Sequence, residues 1–167
     1  MIEMEDLDGL WVRLKGLDLR GLLSYWILNE RNKARLYSVL AQKVRDLGLD
    51  DSVYDVFRLL SLEASRHDRK LMSLYERVFG TDELLEVALP SLSSLSLTKD
   101  FNGGRDVFKV LEAALKLEIL AEDVYGILTE AASDDYMRAV FSYLGSTERL
   151  HRRTIEGLMR EYGCGHA

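Results

Sequence analysis

Glutamate and histidine stand in this chain at helix positions where a buried face normally carries only apolar side chains, and they recur in both halves. In the second half Glu118, Ala121 and Tyr125 lie at helical spacing, and Glu148 and His151 form a Glu-x-x-His. In the first half Glu30 and Tyr37 repeat the seven-residue separation of Glu118 and Tyr125, and His67 follows. Seven residues is two helical turns, so each Glu–Tyr pair shares one face of its helix.

An ionised glutamate on a buried face costs several kcal/mol unless something neutralises it. Glu30, Glu118 and Glu148 are expected to converge near the middle of the fold, with His67 and His151 at the same depth. Lysine and arginine are missing from the inner stripes as the apolar spacing defines them, so a shared cation is the expected remedy rather than an internal salt bridge. Carboxylate and imidazole ligands without thiolate favour iron or manganese, and zinc can use the same set. The candidate metal ligands are therefore Glu30, His67, Glu118, Glu148 and His151, for two ions, one or none. Taken singly, an inward histidine is more often a hydrogen-bonded core residue, and a lone Glu-x-x-His arises by chance. The joint order and spacing carry the metal reading.

These side chains need long helices to position them. Apolar spacing is helical nearly everywhere outside the stretch around the single proline, Pro90. The pattern predicts helices from about Asp18 to Leu47, from an N-cap at Ser52 to Gly80, from about Arg105 to Ala132, and from Ser133 onward. The inner stripe of the first runs through Leu23, Ile27, Glu30, Ala34 and Tyr37, and that of the second through Leu60, Ala64, His67 and Leu71. Helices one and two, and three and four, are joined by only a few residues, which makes each pair an antiparallel hairpin. The middle connection, residues 80–104, is long enough to run the length of the bundle. The expected organisation is a single domain over residues 1–167, with residues 1–17 as an N-terminal arm and 163–167 as a tail. The repeat predicts two halves related by a pseudo-twofold.

In these respects the chain resembles the ferritin-like superfamily, and within it the rubrerythrin-related proteins. The resemblance rests on Glu118-x-x-Ala121-x-x-x-Tyr125, on Glu148-Arg-Leu-His151, on Glu30 with Tyr37, and on the long crossover, and it covers nearly the whole chain. It implies an all-α, ferritin-like four-helix bundle in which each hairpin supplies a Glu from its first helix and a Glu-x-x-His from its second, to hold two irons. Glu30 and Glu118 would then be terminal carboxylates, Glu148 a bridging one, and His67 and His151 terminal imidazoles. The activity implied is reduction of peroxide or dioxygen at non-haem iron. The rubredoxin-like tail of full-length rubrerythrins needs two Cys-x-x-Cys pairs, whereas Cys164 is the single cysteine here, so electrons would come from a separate donor protein.

One position departs from the family pattern. Aligning Phe57 with Phe141, ten residues before each histidine, puts Ala64 where the second half has Glu148. The adjacent Glu63 is rotated by about 100° on the helix, so it suits an outer partner of a ligating imidazole better than a ligand. Glu122, one turn beyond Glu118, is the candidate replacement. The rival reading is a metal-poor bundle with an assembly or partner-binding role, and iron storage in a closed cage is a third.

Composition narrows the classes further. The 167 residues carry a net charge of −6 with no basic run, which argues against a nucleic-acid surface. No apolar stretch reaches the roughly 20 residues needed to span a bilayer and no leader opens the chain, so the expectation is a cytoplasmic protein without a membrane partner. Leu22, Tyr25, Leu36 and Val39 form a second apolar face on the first long helix, which predicts a homodimer unless the arm around Trp11 or the crossover covers it.

Overall fold

A computed structural model describes residues 7–90, 101, 103 and 106–165. Among these residues the chain is all-helical: α1 (Leu7–Lys15), α2 (Leu19–Asp46), α3 (Asp51–Phe79), α4 (Val107–Ala131) and α5 (Asp135–Gly165). The four long elements match the four expected helices, and α1 is the expected arm. The tail expected from residue 163 is instead the last turn of α5, which runs on to Gly165.

Local chemistry sets the boundaries. Asp18 caps α2 by accepting a hydrogen bond from the Gly21 N–H at 2.7 Å. Gly48 (φ +66°) and Gly80 (φ +69°) end α2 and α3 in the left-handed region, where a Cβ would be strained. Ser52, the expected N-cap of α3, lies inside the helix, and Asp50 takes the cap position. At the start of α5, Asp134 Oδ1 accepts from the Met137 N–H at 2.7 Å.

The helices pack as α2 against α3 and α4 against α5, with thinner contact between α3 and α5 and between α2 and α4. Polar contacts give the directions. Arg20, at the start of α2, donates to the Tyr75 hydroxyl near the end of α3, so this pair is antiparallel. Tyr136 at the start of α5 meets Lys70 and Arg77 late in α3, whereas Tyr162 late in α5 donates to Asp50 at the start of α3. The expected crossover, 80–104, falls partly outside the described residues, but its two flanks are placed. Pro90 O accepts from the Tyr25 hydroxyl at 2.7 Å, and Phe101 O accepts from Lys43 Nζ at 3.2 Å. Tyr25 and Lys43 are about 27 Å apart along α2 at 1.5 Å per residue, so Pro90 and Phe101 lie toward opposite ends of that helix.

The start of that connection also covers the Tyr25 end of the face from which a dimer was expected. Leu22, Tyr25 and Leu36 are buried within the single chain, and only Val39 is exposed. Arg13 of α1 donates to Ala88 O, and the Leu85 N–H donates to Ser24 Oγ, fastening α1 and residues 83–90 over α2. The expected dimer patch is thus mostly internal packing. No helix among the described residues is long and apolar enough to cross a membrane.

Candidate metal centre

Glu30 on α2, His67 on α3, Glu118 on α4, and Glu148 and His151 on α5 are all buried, and they meet in the middle of the bundle. All five candidate ligands are therefore brought together. Two overlapping triads form, each with one ligand atom per residue within 4.8 Å of the others: Glu30, His67 and Glu148, and Glu118, Glu148 and His151. Glu148 is common to both.

The expectation that no basic side chain enters the cluster is overturned. Lys33, three residues after Glu30, is buried, and its ammonium lies 3.4 Å from Glu30 Oε1, 3.3 Å from Glu118 Oε2 and 3.8 Å from Glu148 Oε1. It also sits 5.9 Å over the Trp26 ring, so one cation is shared by three carboxylates and an aromatic face. The stripe had been drawn through Ala34, which faces α3 with its carbonyl bonded to Ser61. Helical positions i+3 and i+4 share a face with i, and here the charged one points inward.

Neither suggested replacement for the missing glutamate enters the cluster. Glu122 pairs with Arg149 and Arg152, each at 2.9 Å, and Glu63 pairs with Arg66. Ala64 itself is buried on the inward side of α3. The imidazole of His67 is oriented not by Glu63 but by Thr147, whose hydroxyl lies 3.0 Å from Nε2. That hydroxyl donates its proton to Leu144 O at 2.7 Å, so it accepts from His67 Nε2–H. Nδ1 is left facing the carboxylates, 2.8 Å from Glu148 Oε1 and 3.7 Å from Glu30 Oε2, aligned for a hydrogen bond with neither. Glu30 Oε2 is likewise buried without a hydrogen bond.

The two tyrosines cross between the halves. Tyr37 donates to Glu118 Oε1 at 2.7 Å, and Tyr125 donates to Glu30 Oε1 at 3.3 Å, so each reaches the glutamate of the other helix. His67 and His151 face each other with ring centroids 6.2 Å apart, and Tyr125 meets His67 edge-on.

Burial and mutual charge set the protonation of the metal-free cluster. Burial alone would lower the Lys33 pKa, but Glu118, Glu148 and Glu30 outweigh it and hold the ammonium protonated. Burial also opposes charging of His67, yet the Glu148 and Glu30 carboxylates push its pKa up to about 10. Glu118 is driven well above the usual carboxylate range by burial and by the Glu148 charge, against the pull of Lys33. Glu148 moves the other way: burial is overcome by Lys33, Glu118, His151 and His67, leaving it well below that range. Burial and the neighbouring carboxylates keep the Tyr37 and Tyr125 phenols neutral.

A metal ion fits the donor set. Carboxylate oxygens and imidazole nitrogens are ligands for first-row divalent ions, and two atoms each bonded at about 2.0–2.2 Å to one ion lie up to about 4.4 Å apart. The 2.8 and 3.7 Å separations from His67 Nδ1 fall in that range. Glu30 Oε2 and His67 Nδ1, two buried cluster atoms without an aligned hydrogen bond, lie 3.7 Å apart.

No family model matches the chain, and no curated protein matches it in sequence. Among solved structures it is similar to a hypothetical protein from Pyrococcus furiosus, with a TM-score of 0.80 at 21% identity, over 91% of this chain and 94% of that one. At that identity the likeness concerns the fold.

Proposed function

We propose that this chain is a metalloprotein of the ferritin-like, rubrerythrin-related kind, an oxidoreductase whose buried centre takes iron in preference to manganese or zinc. The observation that carries the reading is the convergence of three glutamates and two histidines from four helices on one buried space, with a carboxylate oxygen and an imidazole nitrogen that make no aligned hydrogen bond. Bound ferrous iron would supply electrons to peroxide or dioxygen. Glu30, His67, Glu118, Glu148 and His151 would hold it, and Thr147 would fix the His67 ring with Nδ1 toward the metal. Tyr37 and Tyr125 hold two of the carboxylates by hydrogen bonds, and the surrounding apolar core keeps bulk water away. Electrons would return from a separate donor protein.

The test is elemental analysis after anaerobic reconstitution with ferrous iron, followed by measurement of peroxide consumption. Stoichiometric iron and iron-dependent turnover are expected. Less than about a tenth of a metal per chain would remove the reading, given how readily short motifs match by chance. One observation favours the rival, a metal-poor bundle with an assembly role: Lys33 already places a cation among the three carboxylates. Protein purified without added metal that is fully stable and takes up none would decide for that rival.

A further inference from the structure

We infer that the centre is built for one divalent ion, seated between Glu30, His67 and Glu148, and that the Lys33 ammonium stands where a second ion would otherwise be required. This inference rests on the metal-binding reading and specifies its stoichiometry and place.

The internal repeat supplies the first argument. Glu30, Lys33 and Tyr37 on α2 correspond to Glu118, Ala121 and Tyr125 on α4, and Ala64 and His67 on α3 to Glu148 and His151 on α5. A site repeated faithfully from the second half would hold four carboxylates and no ammonium, a formal charge of −4 that two divalent ions balance. The first half differs at two inward positions: Ala64 removes one negative charge and Lys33 adds one positive charge. Together they change the formal charge by +2, that of one divalent ion. With the carboxylates ionised and the imidazoles neutral, the forms in which they bind a metal, three carboxylates and one ammonium leave −2, which a single ion neutralises. A second would leave an excess of +2 in a dry core, where uncompensated charge is strongly unfavourable.

Which atoms are already satisfied supplies the second argument. Both oxygens of Glu118 are engaged, Oε1 by the Tyr37 hydroxyl at 2.7 Å and Oε2 by Lys33 Nζ at 3.3 Å. His151 Nδ1 is within hydrogen-bonding distance of Glu148 Oε2, at 3.3 Å. Glu118 is thus hydrogen-bonded at both oxygens by Tyr37 and Lys33 of the first hairpin, and His151 by Glu148. In the other triad Glu30 Oε2 and His67 Nδ1 make no aligned hydrogen bond and are held by ion pairing alone, His67 Nδ1 lying 2.8 Å from Glu148 Oε1 and 3.7 Å from Glu30 Oε2, with relative exposures of 0% for Glu30 and 2% for His67. The atoms held by ion pairing alone thus lie on the side of the first hairpin, although the full Glu-x-x-His motif belongs to the second.

Anaerobic titration of the full chain with ferrous iron, read by elemental analysis after desalting, tests the count. One iron per chain is expected. Two irons would overturn this inference and leave the metal-binding reading standing, whereas none would overturn both. Paired histidine variants test the place. Outer partners of metal ligands already contribute roughly 10–100-fold to affinity, so His67→Ala should weaken binding by more than about a hundredfold and His151→Ala by much less. The reverse order would overturn the assignment. The double variant Lys33→Met with Ala64→Glu restores the four-carboxylate charge and should take up two irons. A folded double variant, checked by circular dichroism, that still binds one would overturn the role given to Lys33. If that variant does not fold, the wild-type count and the histidine contrast still decide.

Discussion

Glu148 occupies the point where the candidate ligands overlap, and its replacement should have the largest effect of any single change. It belongs to both triads and faces Lys33, His67 and His151, so Glu148→Ala should abolish metal uptake and strand cationic groups in a dry core. Glu63→Ala and Glu122→Ala, which break only ion pairs outside the cluster, should leave metal content unchanged and shift stability by no more than about 1 kcal/mol. Elemental analysis and a denaturant melt of the three variants check this ordering. Tyr37→Phe should cost about 1–3 kcal/mol by releasing Glu118, and Tyr125→Phe less, because its hydrogen bond is longer. Every candidate ligand was legible in the sequence because each is a polar residue at an apolar helical position. Lys33 was not, because a lysine three residues after a glutamate ordinarily reads as a solvated ion pair. The repeat held the signal, since Lys33 aligns with the inward Ala121.

At the level of elements, the four long helices could be read from periodicity, glycine stops and loop lengths, each being a local property of the chain. How α1 and the first part of the connection pack on α2 could not. That depends on tertiary hydrogen bonds such as Tyr25 to Pro90 O and Leu85 N–H to Ser24, which leave no periodic trace. The same apolar face looked exposed for this reason. Tyr25 offers a probe of that packing, because burial pushes its phenol up from 10.0 to about 12. Between pH 10 and 12 the unfolded chain loses this proton while the folded chain keeps it. The folded state therefore binds more protons, and stability falls as pH rises, by at most about 1.4 kcal/mol per pH unit from this group. Stability measured from pH 9 to 11.5 should decline more steeply in the wild type than in Tyr25→Phe. Equal slopes would mean that the phenol is solvated. A simpler check on the ends of α2 and α3 is Gly48→Ala and Gly80→Ala, each expected to cost about 1 kcal/mol at positive φ.

For the molecule as a whole, the candidate centre is where its two hairpins are tied to each other. Lys33 to Glu118, Tyr37 to Glu118, Tyr125 to Glu30 and His67 to Glu148 all join α2 or α3 to α4 or α5, across the thinner of the packing interfaces. The two triads differ in this respect. Glu118, Glu148 and His151 all belong to the second hairpin, whereas Glu30, His67 and Glu148 span both. An ion in the spanning triad must stabilise the association of the hairpins, because it binds only when they are docked. At a free concentration of about a hundred times its Kd, such an ion adds about 2.7 kcal/mol, and for a chain of this size that raises Tm by roughly 5–10 °C. Amide hydrogen exchange of the metal-free and ferrous-loaded protein locates the gain. Slower exchange is expected in the middle of α2 and α3 as well as in α5, since opening either hairpin would release the ion. Protection confined to α4 and α5 would instead place the metal within the second hairpin, leaving Glu30 and His67 as core residues held by Lys33, Tyr125 and Thr147.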